Sequence, residues 1–182
     1  LLSFARPSTP NVSTENINEI IENEARILET GAKKRDVRIQ LRLSTELPLI
    51  FVDKEQMKQV FMNLILNAIQ SIEGGGLVEI SSPLFVSSDS HKFVQIRVYD
   101  SGVGIPEKDI ENIFNPFFTT KKGGSGLGLS ISHQIVQEHA GYMAVESKVG
   151  QGTSFYINLP VSALAQKDSR ESAELHEKDS GR

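Results

Sequence analysis

Between Lys54 and Ile72, apolar residues fall at Met57, Val60, Phe61, Leu64, Ile65, Ala68 and Ile72, in steps of three and four. That spacing lays a continuous apolar stripe along one face of a long helix. A helix with such a face must lie on a second layer, and this requirement governs the fold. Asp53 is a good N-cap for the helix, and Gly74-Gly75-Gly76 ends it.

The flanking segments supply the second layer. VRIQLRL, Val37 to Leu43, alternates as a half-buried strand does, and the short strand LIFV leads into Asp53. LVEISSPLFV and FVQIRVYD read as a hairpin whose loop, SSDSHK, contains His91. YMAVES and TSFYINL form two further strands around the turn KVGQG. Asn16 caps an earlier helix with Glu19 at its third position; Ile17, Ile20, Ile21, Ala25 and Leu28 form its apolar face, and Gly31 ends it. Glu107 to Phe114 is a short helix, and Leu127 to His139 is another. Helices alternate with antiparallel hairpins, which predicts an α+β fold: a two-layer α/β sandwich with a mixed, mostly antiparallel sheet and helices on one face.

The length of 182 residues suits one domain with extensions. LLSFARP, residues 1–7, reads as the last turn of a helix stopped at Pro7, so the chain is expected to be cut from a longer protein. Residues 8–15 read as a polar linker, 16–160 as the folded domain and 161–182 as a disordered tail without core-forming pattern. A net charge of −4 with interspersed signs argues against a nucleic-acid partner. No cysteine is present, which excludes disulfides and fits a reducing, cytoplasmic setting. No apolar run is long enough to span a membrane.

Several short stretches can carry chemistry. Asn63 and Asn67 stand four apart beside the apolar stripe, where two amide oxygens could ligate a hard cation such as Mg2+; as an isolated pair they read far more readily as solvated polar residues. Asp100-Ser-Gly102-Val-Gly104-Ile105-Pro106 ends a strand with an acceptor carboxylate and two glycines, suited to a flat ligand bearing an amine, or to a plain turn. Phe114, Pro116, Phe117 and Phe118 precede Thr119, Thr120, Lys121 and Lys122, which place hydroxyls and positive charge beside the glycine run GGSGLGLS. That run has neither P-loop nor Rossmann spacing, and it reads as a flexible loop opening a helix. Gly150-Gln151-Gly152-Thr153 alone is a hairpin turn, and the four histidines read as structural or solvated.

Order decides what single motifs do not. N-L-x-x-N-A, D-x-G-x-G-I, F-x-P-F-F, G-x-G-L-G-L and G-x-G-T-x-F follow one another between Asn16 and Leu159. In this the chain resembles the ATP-binding catalytic domain of sensor histidine kinases of two-component systems, most nearly the nitrogen-regulation type. These kinases belong to the ATPase superfamily shared with gyrase, heat-shock chaperones and mismatch-repair ATPases.

The resemblance implies ATP and Mg2+ as cofactors, with Asn67 as metal ligand and Asn63 as ligand or outer partner. It implies that Asp100 binds the adenine amine, that Gly102, Gly104 and Ile105 shape the purine slot, and that Thr153 supports the Asp100 end. Phe114 to Lys122, including Phe118 and Thr120, would form part of a mobile lid, with Lys121 or Lys122 on the phosphates. Gly124, Ser125, Gly126, Leu127, Gly128 and Leu129 would close that lid, the leucines anchoring its far end. LLSFARP resembles the end of the dimerisation and phospho-acceptor domain. The implied partners are that histidine-bearing domain and a response regulator; the fragment would be monomeric, its parent homodimeric and cytoplasmic, with or without a membrane anchor.

Two features of this chain bear on mechanism. Many relatives carry Lys or Arg three residues after the second asparagine, where this chain has Gln70, so Lys121 or Lys122 is expected to carry more of the phosphate contact, and Gln70 to donate at most a neutral hydrogen bond. Hydrolysing relatives resemble one another in a glutamate base one turn before the metal asparagine. Here Asn63 stands there, and an amide takes no proton at neutral pH, so slow hydrolysis and transfer to an external histidine are expected. The rival readings are an ATP-hydrolysing conformational machine of the same superfamily and a degenerate docking module.

Overall fold

A computed structural model describes residues 11–82, 86–88, 91–121 and 123–161. The chain runs β1 (Val12–Glu15), α1 (Ile17–Lys33), β2 (Val37–Leu43), β3 (Ile50–Asp53), α2 (Lys54–Ser71), β4 (Gly76–Ser82), β5 (Val86–Ser88), β6 (His91–Asp100), α3 (Glu107–Ile110), α4 (Gly128–Glu138), β7 (Tyr142–Lys148) and β8 (Gly152–Pro160). The main sheet has the order β2-β4-β6-β8-β7, with β5 pairing the start of β6. The β2–β4 pair is parallel and the others are antiparallel, as a mixed, mostly antiparallel sheet requires.

Alternation along the strands sets the layers. Val78, Ile80, Val94, Ile96, Val98, Phe155, Ile157 and Leu159 are buried against the helices. The residues between them carry polar contacts: Arg97 donates to Ser154 Oγ from Nε (3.1 Å) and Nη2 (2.9 Å), Arg42 pairs with Glu79 at 2.9 Å, and the Tyr156 hydroxyl donates to Glu146 at 2.8 Å. The α2 stripe from Met57 to Ile72 is buried throughout, joined by Ile69. Full burial of each large apolar side chain in it contributes about 1.5–3 kcal/mol.

Asp53 organises one end of this core. Its Oδ1 accepts the Glu55 and Gln56 N–H groups at 3.0 Å each, and its Oδ2 accepts the Asn11 N–H at 2.7 Å. Its own N–H donates to His139 Nε2 at 2.9 Å, and His139 Nδ1 lies 2.8 Å from the Ile135 carbonyl, which fixes the proton on Nδ1. His139 is thus a buried pin between α4 and α2. Desolvation pushes the Asp53 carboxyl up, and the N–H donors of Gln56, Asn11 and Glu55 outweigh it, so its pKa lies below the ordinary 3.8. A lowered native pKa stabilises the fold above the unfolded value and the effect is lost as pH falls through the native one. Asp53→Ala is expected to cost about 1–2 kcal/mol at neutral pH, read by urea denaturation.

Five expected boundaries shift. Val12–Glu15, inside the polar segment read as linker, pairs antiparallel with Ile50–Asp53. Gly31 does not end α1, which runs two residues further; the chain turns at Asp36, with φ 59°. Past Ile110 the Asn112 and Asn115 N–H groups bond carbonyls three residues back, at 2.9 Å each, so α3 gives way to turns before Phe114. His91 begins β6 instead of lying in the loop. Val161 is buried, and its N–H bonds the Lys92 carbonyl at 2.7 Å. The expected helix end at 1–7, the linker's first residues 8–10, Lys122 and the expected tail at 162–182 lie outside the described residues.

Candidate functional site

Asp100 closes β6 with its side chain turned into the helical layer, 3% exposed. Two donors converge on its Oδ1: the Ser71 hydroxyl from the last residue of α2, at 2.7 Å, and the Gly102 N–H, at 2.9 Å. Burial raises the carboxyl pKa; the Ser71 and Gly102 bonds, the Lys121 charge and the Thr153 amide pull it down without cancelling that rise. No side chain fits at residue 102, because a Cβ there would lie 2.2 Å from Ser71 Oγ and 2.7 Å from Asp100 Oδ1. Thr153 pairs with Asp100 across the β6–β8 ladder, but its hydroxyl meets Ser147 Oγ at 2.9 Å. Its support of the carboxylate is therefore through the backbone. Gly104 lies against the Lys148 carbonyl, and the Ile105 N–H donates to Ser147 Oγ at 2.8 Å.

One flank of α2 gathers oxygen around a positive charge. Lys121 Nζ lies 3.3 Å from both Asn67 Oδ1 and the Asn67 carbonyl, and 3.2 Å from Gln70 Oε1. Three uncharged oxygens meet one ammonium here, the ligand type that a hard cation also takes. Among the described residues no group of three His, Cys, Asp or Glu side chains could hold a metal instead. Desolvation lowers the Lys121 pKa, against the opposing pull of Asp100; Arg35 adds to the lowering. The residue is exposed as a whole, so the withdrawal from water concerns its ammonium end.

Asn63 is placed differently from its partner. Its Nδ2 donates to the Gly128 carbonyl and to Ser132 Oγ, both at 3.2 Å, tying α2 to the first turn of α4. Of the two asparagines, Asn67 is the one that meets a cation.

The loop between α3 and α4 is held at its base. Phe114 stacks on His133 with ring centroids 4.6 Å apart, and Phe114 and Phe118 pack against the core. Phe117 is 68% exposed at φ 67°, a conformation costly for a bulky residue. Its N–H donates to the Gly126 carbonyl at 2.9 Å, while Gly126 sits at φ 67° with room for no Cβ, the nearest atom being Phe117 C at 2.4 Å. A glycine is required there. Thr119 Oγ1 accepts the Lys121 N–H at 3.1 Å, and the Gly124 N–H donates to the Lys121 carbonyl at 3.2 Å. Thr120 and Ser125 are exposed; Leu129 packs on the core, and Leu127 is half-buried at the N-cap of α4.

Asp100, Gly102, Thr153, Asn67, Gln70 and Lys121 are thus brought together, and Gly124 to Leu129 follow Lys121 in the chain, with Gly124 bonded to Lys121 and Gly128 to Asn63. Sequence reasoning missed Ser71 and Ser147. Ser71 continues the four-residue step of Asn63 and Asn67, a signal that was available; Ser147 is found only through strand register. A cavity of about 440 Å³ lies elsewhere, lined by Glu29, Lys33, Asp36 and Arg38, so shape alone does not mark the site.

Residues 52–163 match the family described as histidine kinase-, DNA gyrase B-, and HSP90-like ATPase. The chain belongs to this ATPase family. Within it, the catalytic domain of histidine kinase ThkA superposes with a TM-score of 0.71 at 33% identity, covering 82% of this chain and 97% of that one. The chain is 35% identical over 168 residues to the sensor histidine kinase ZraS of Escherichia coli strain K12, covering 92% of this chain and 35% of the relative. Sporulation kinase E of Bacillus subtilis strain 168 is 34% identical over 166 residues, covering 91% of this chain and 22% of that protein. The chain therefore corresponds to the ATP-binding catalytic domain of sensor histidine kinases and spans about a third or less of these full-length relatives. Among its described residues no helix is long and apolar enough to cross a membrane.

Proposed function

We propose that this histidine kinase catalytic domain binds Mg-ATP and presents the γ-phosphate to a histidine on a dimerisation domain of the parent protein, for relay to a response regulator. The observation that carries the reading is the cation seat on α2, Asn67 Oδ1 and its neighbours around Lys121 Nζ, beside the buried Asp100 acceptor. A related complex joins histidine kinase ThkA to the response regulator TrrA; ThkA there matches this chain with a TM-score of 0.68 at 31% identity.

Each residue has a part. Asp100 receives the adenine amine, Gly102 keeps the slot free of side chains, and Thr153 steadies the carboxylate through its amide. Asn67 would hold Mg2+ through an uncharged oxygen, and the ion, when bound, would neutralise phosphate charge. Gln70 supplies no charge, and Lys121, freed from α2, becomes the cation nearest the phosphates. The loop from Gly124 to Gly128 closes above them, hinged where Phe117 holds Gly126. Asn63, with its amide on α4, is no base for water, so transfer is favoured over hydrolysis. The parent is proposed to work as a homodimer with this domain in the cytoplasm.

Titration with a non-hydrolysable ATP analogue and Mg2+ tests the reading. Saturable binding is expected, and its absence leaves only a docking module; a substantial ATPase rate in this domain alone would instead favour a hydrolysing machine. Replacing Lys121 and Lys122 together by alanine is expected to weaken binding by about tenfold. If that change left affinity intact while Gln70→Ala abolished it, the phosphate role of the lysines would be wrong.

A further inference from the structure

Asn63, Asn67 and Ser71 step along one flank of α2 at four-residue intervals, and Ser71 is the member not yet given a part in binding. Its Oγ lies 2.7 Å from Asp100 Oδ1 and 2.8 Å from the Ala68 carbonyl one turn back. A hydroxyl has one proton to give. With a carboxylate and a neutral carbonyl at nearly equal distance, charge directs that proton to the carboxylate. The Gly102 N–H, at 2.9 Å, takes the other lone pair of the same oxygen. Oδ1 is then filled, and turning the carboxylate would break both bonds at once. The Thr153 amide also supports this carboxylate, yet each carboxylate oxygen accepts two donors, so Oδ2 keeps capacity for one more.

We infer that Ser71 is a positioning and specificity-determining residue for the nucleobase: by filling Oδ1 it presents Oδ2 to the slot as an acceptor, selecting a purine with an exocyclic amine over one with a carbonyl there. The inference rests on the adenine-binding role proposed for Asp100. Without the Ser71 hydroxyl, Gly102 alone holds Oδ1, and the carboxylate can turn away from a 6-oxo purine. An adenine nucleotide then loses a preset acceptor, and an inosine nucleotide loses part of its penalty. The quantity that changes is the ratio of their affinities.

The test is a titration of the chain, with Mg2+ present, by a non-hydrolysable ATP analogue and by its inosine counterpart. Ser71→Ala is expected to lower the discrimination ratio by about tenfold. Ser71→Thr, which keeps the hydroxyl, is expected to stay within about twofold of the unmodified chain, and Ser71→Cys, a weak donor of similar size, to fall with alanine. Partial unfolding scales both dissociation constants alike and cancels in the ratio. A ratio unchanged in Ser71→Ala and Ser71→Cys, while Asp100→Asn abolishes or inverts it, overturns the role of Ser71 and leaves the adenine reading standing. A ratio unchanged in Asp100→Asn removes that reading, and the role of Ser71 with it.

Discussion

Asp100→Asn is expected to weaken binding of a non-hydrolysable ATP analogue by about a hundredfold, measured by calorimetric titration with Mg2+ at neutral pH. The size follows from the two donors that converge on Oδ1, Ser71 Oγ–H and Gly102 N–H. They admit only an oxygen at that position, so the asparagine must turn its NH2 to where Oδ2 stood. The amide then meets the adenine amine donor to donor. Preference should move toward a 6-oxo purine, which offers an acceptor to the same NH2. Acidification should act in the same direction, because burial raises the Asp100 pKa and an ionised acceptor is lost as pH falls through that raised value. Retained affinity for adenine nucleotides in Asp100→Asn would remove the role assigned to this carboxylate.

Asn67→Ala is expected to lower phosphoryl transfer by about a hundredfold and to flatten the dependence of nucleotide affinity on Mg2+ concentration. The side chain supplies one of three oxygens now turned to the Lys121 ammonium; the Asn67 carbonyl and Gln70 Oε1 remain, and neither is charged. The second readout matters because a general loss of folding would lower activity without changing the Mg2+ dependence of the folded fraction. An unaltered Mg2+ dependence would contradict the assignment of the cation seat.

The sequence is most legible where one periodicity governs a whole element. The stripe from Met57 to Ile72, the cap at Asp53 and the alternation of Val37–Leu43 are local patterns with one physical solution each. Features that depend on a distant partner are less legible. Val12–Glu15 is polar and becomes a strand only because Ile50–Asp53 lies beside it. Gly31 has open space around it and an ordinary helical backbone, so no local cost stops the helix there. The order β2-β4-β6-β8-β7 is written in pairings that cross the chain, beyond the reach of a window of residues.

The same division runs through the site. Asp100, Gly102 and Asn67 could be named because their order along the chain resembles a known pattern. The contact of Lys121 with Gln70 could not, although Gln70 had raised the question of which group would meet phosphate. Ser71 lay in plain view at the next four-residue step after Asn67, but a serine near a helix end has an ordinary local explanation, and only the 2.7 Å approach to Asp100 distinguishes it.

The proposed reaction is transfer of the γ-phosphate of ATP to a histidine on a separate domain. It is tested most directly by mixing the chain with Mg-ATP and the histidine-bearing dimerisation domain of its parent protein, then following acid-labile phosphate on that domain. Phosphohistidine is expected to form in trans, dependent on Asp100 and Asn67, with little free phosphate released when the acceptor is left out. Rapid release of phosphate to water with no label on the histidine domain would contradict it.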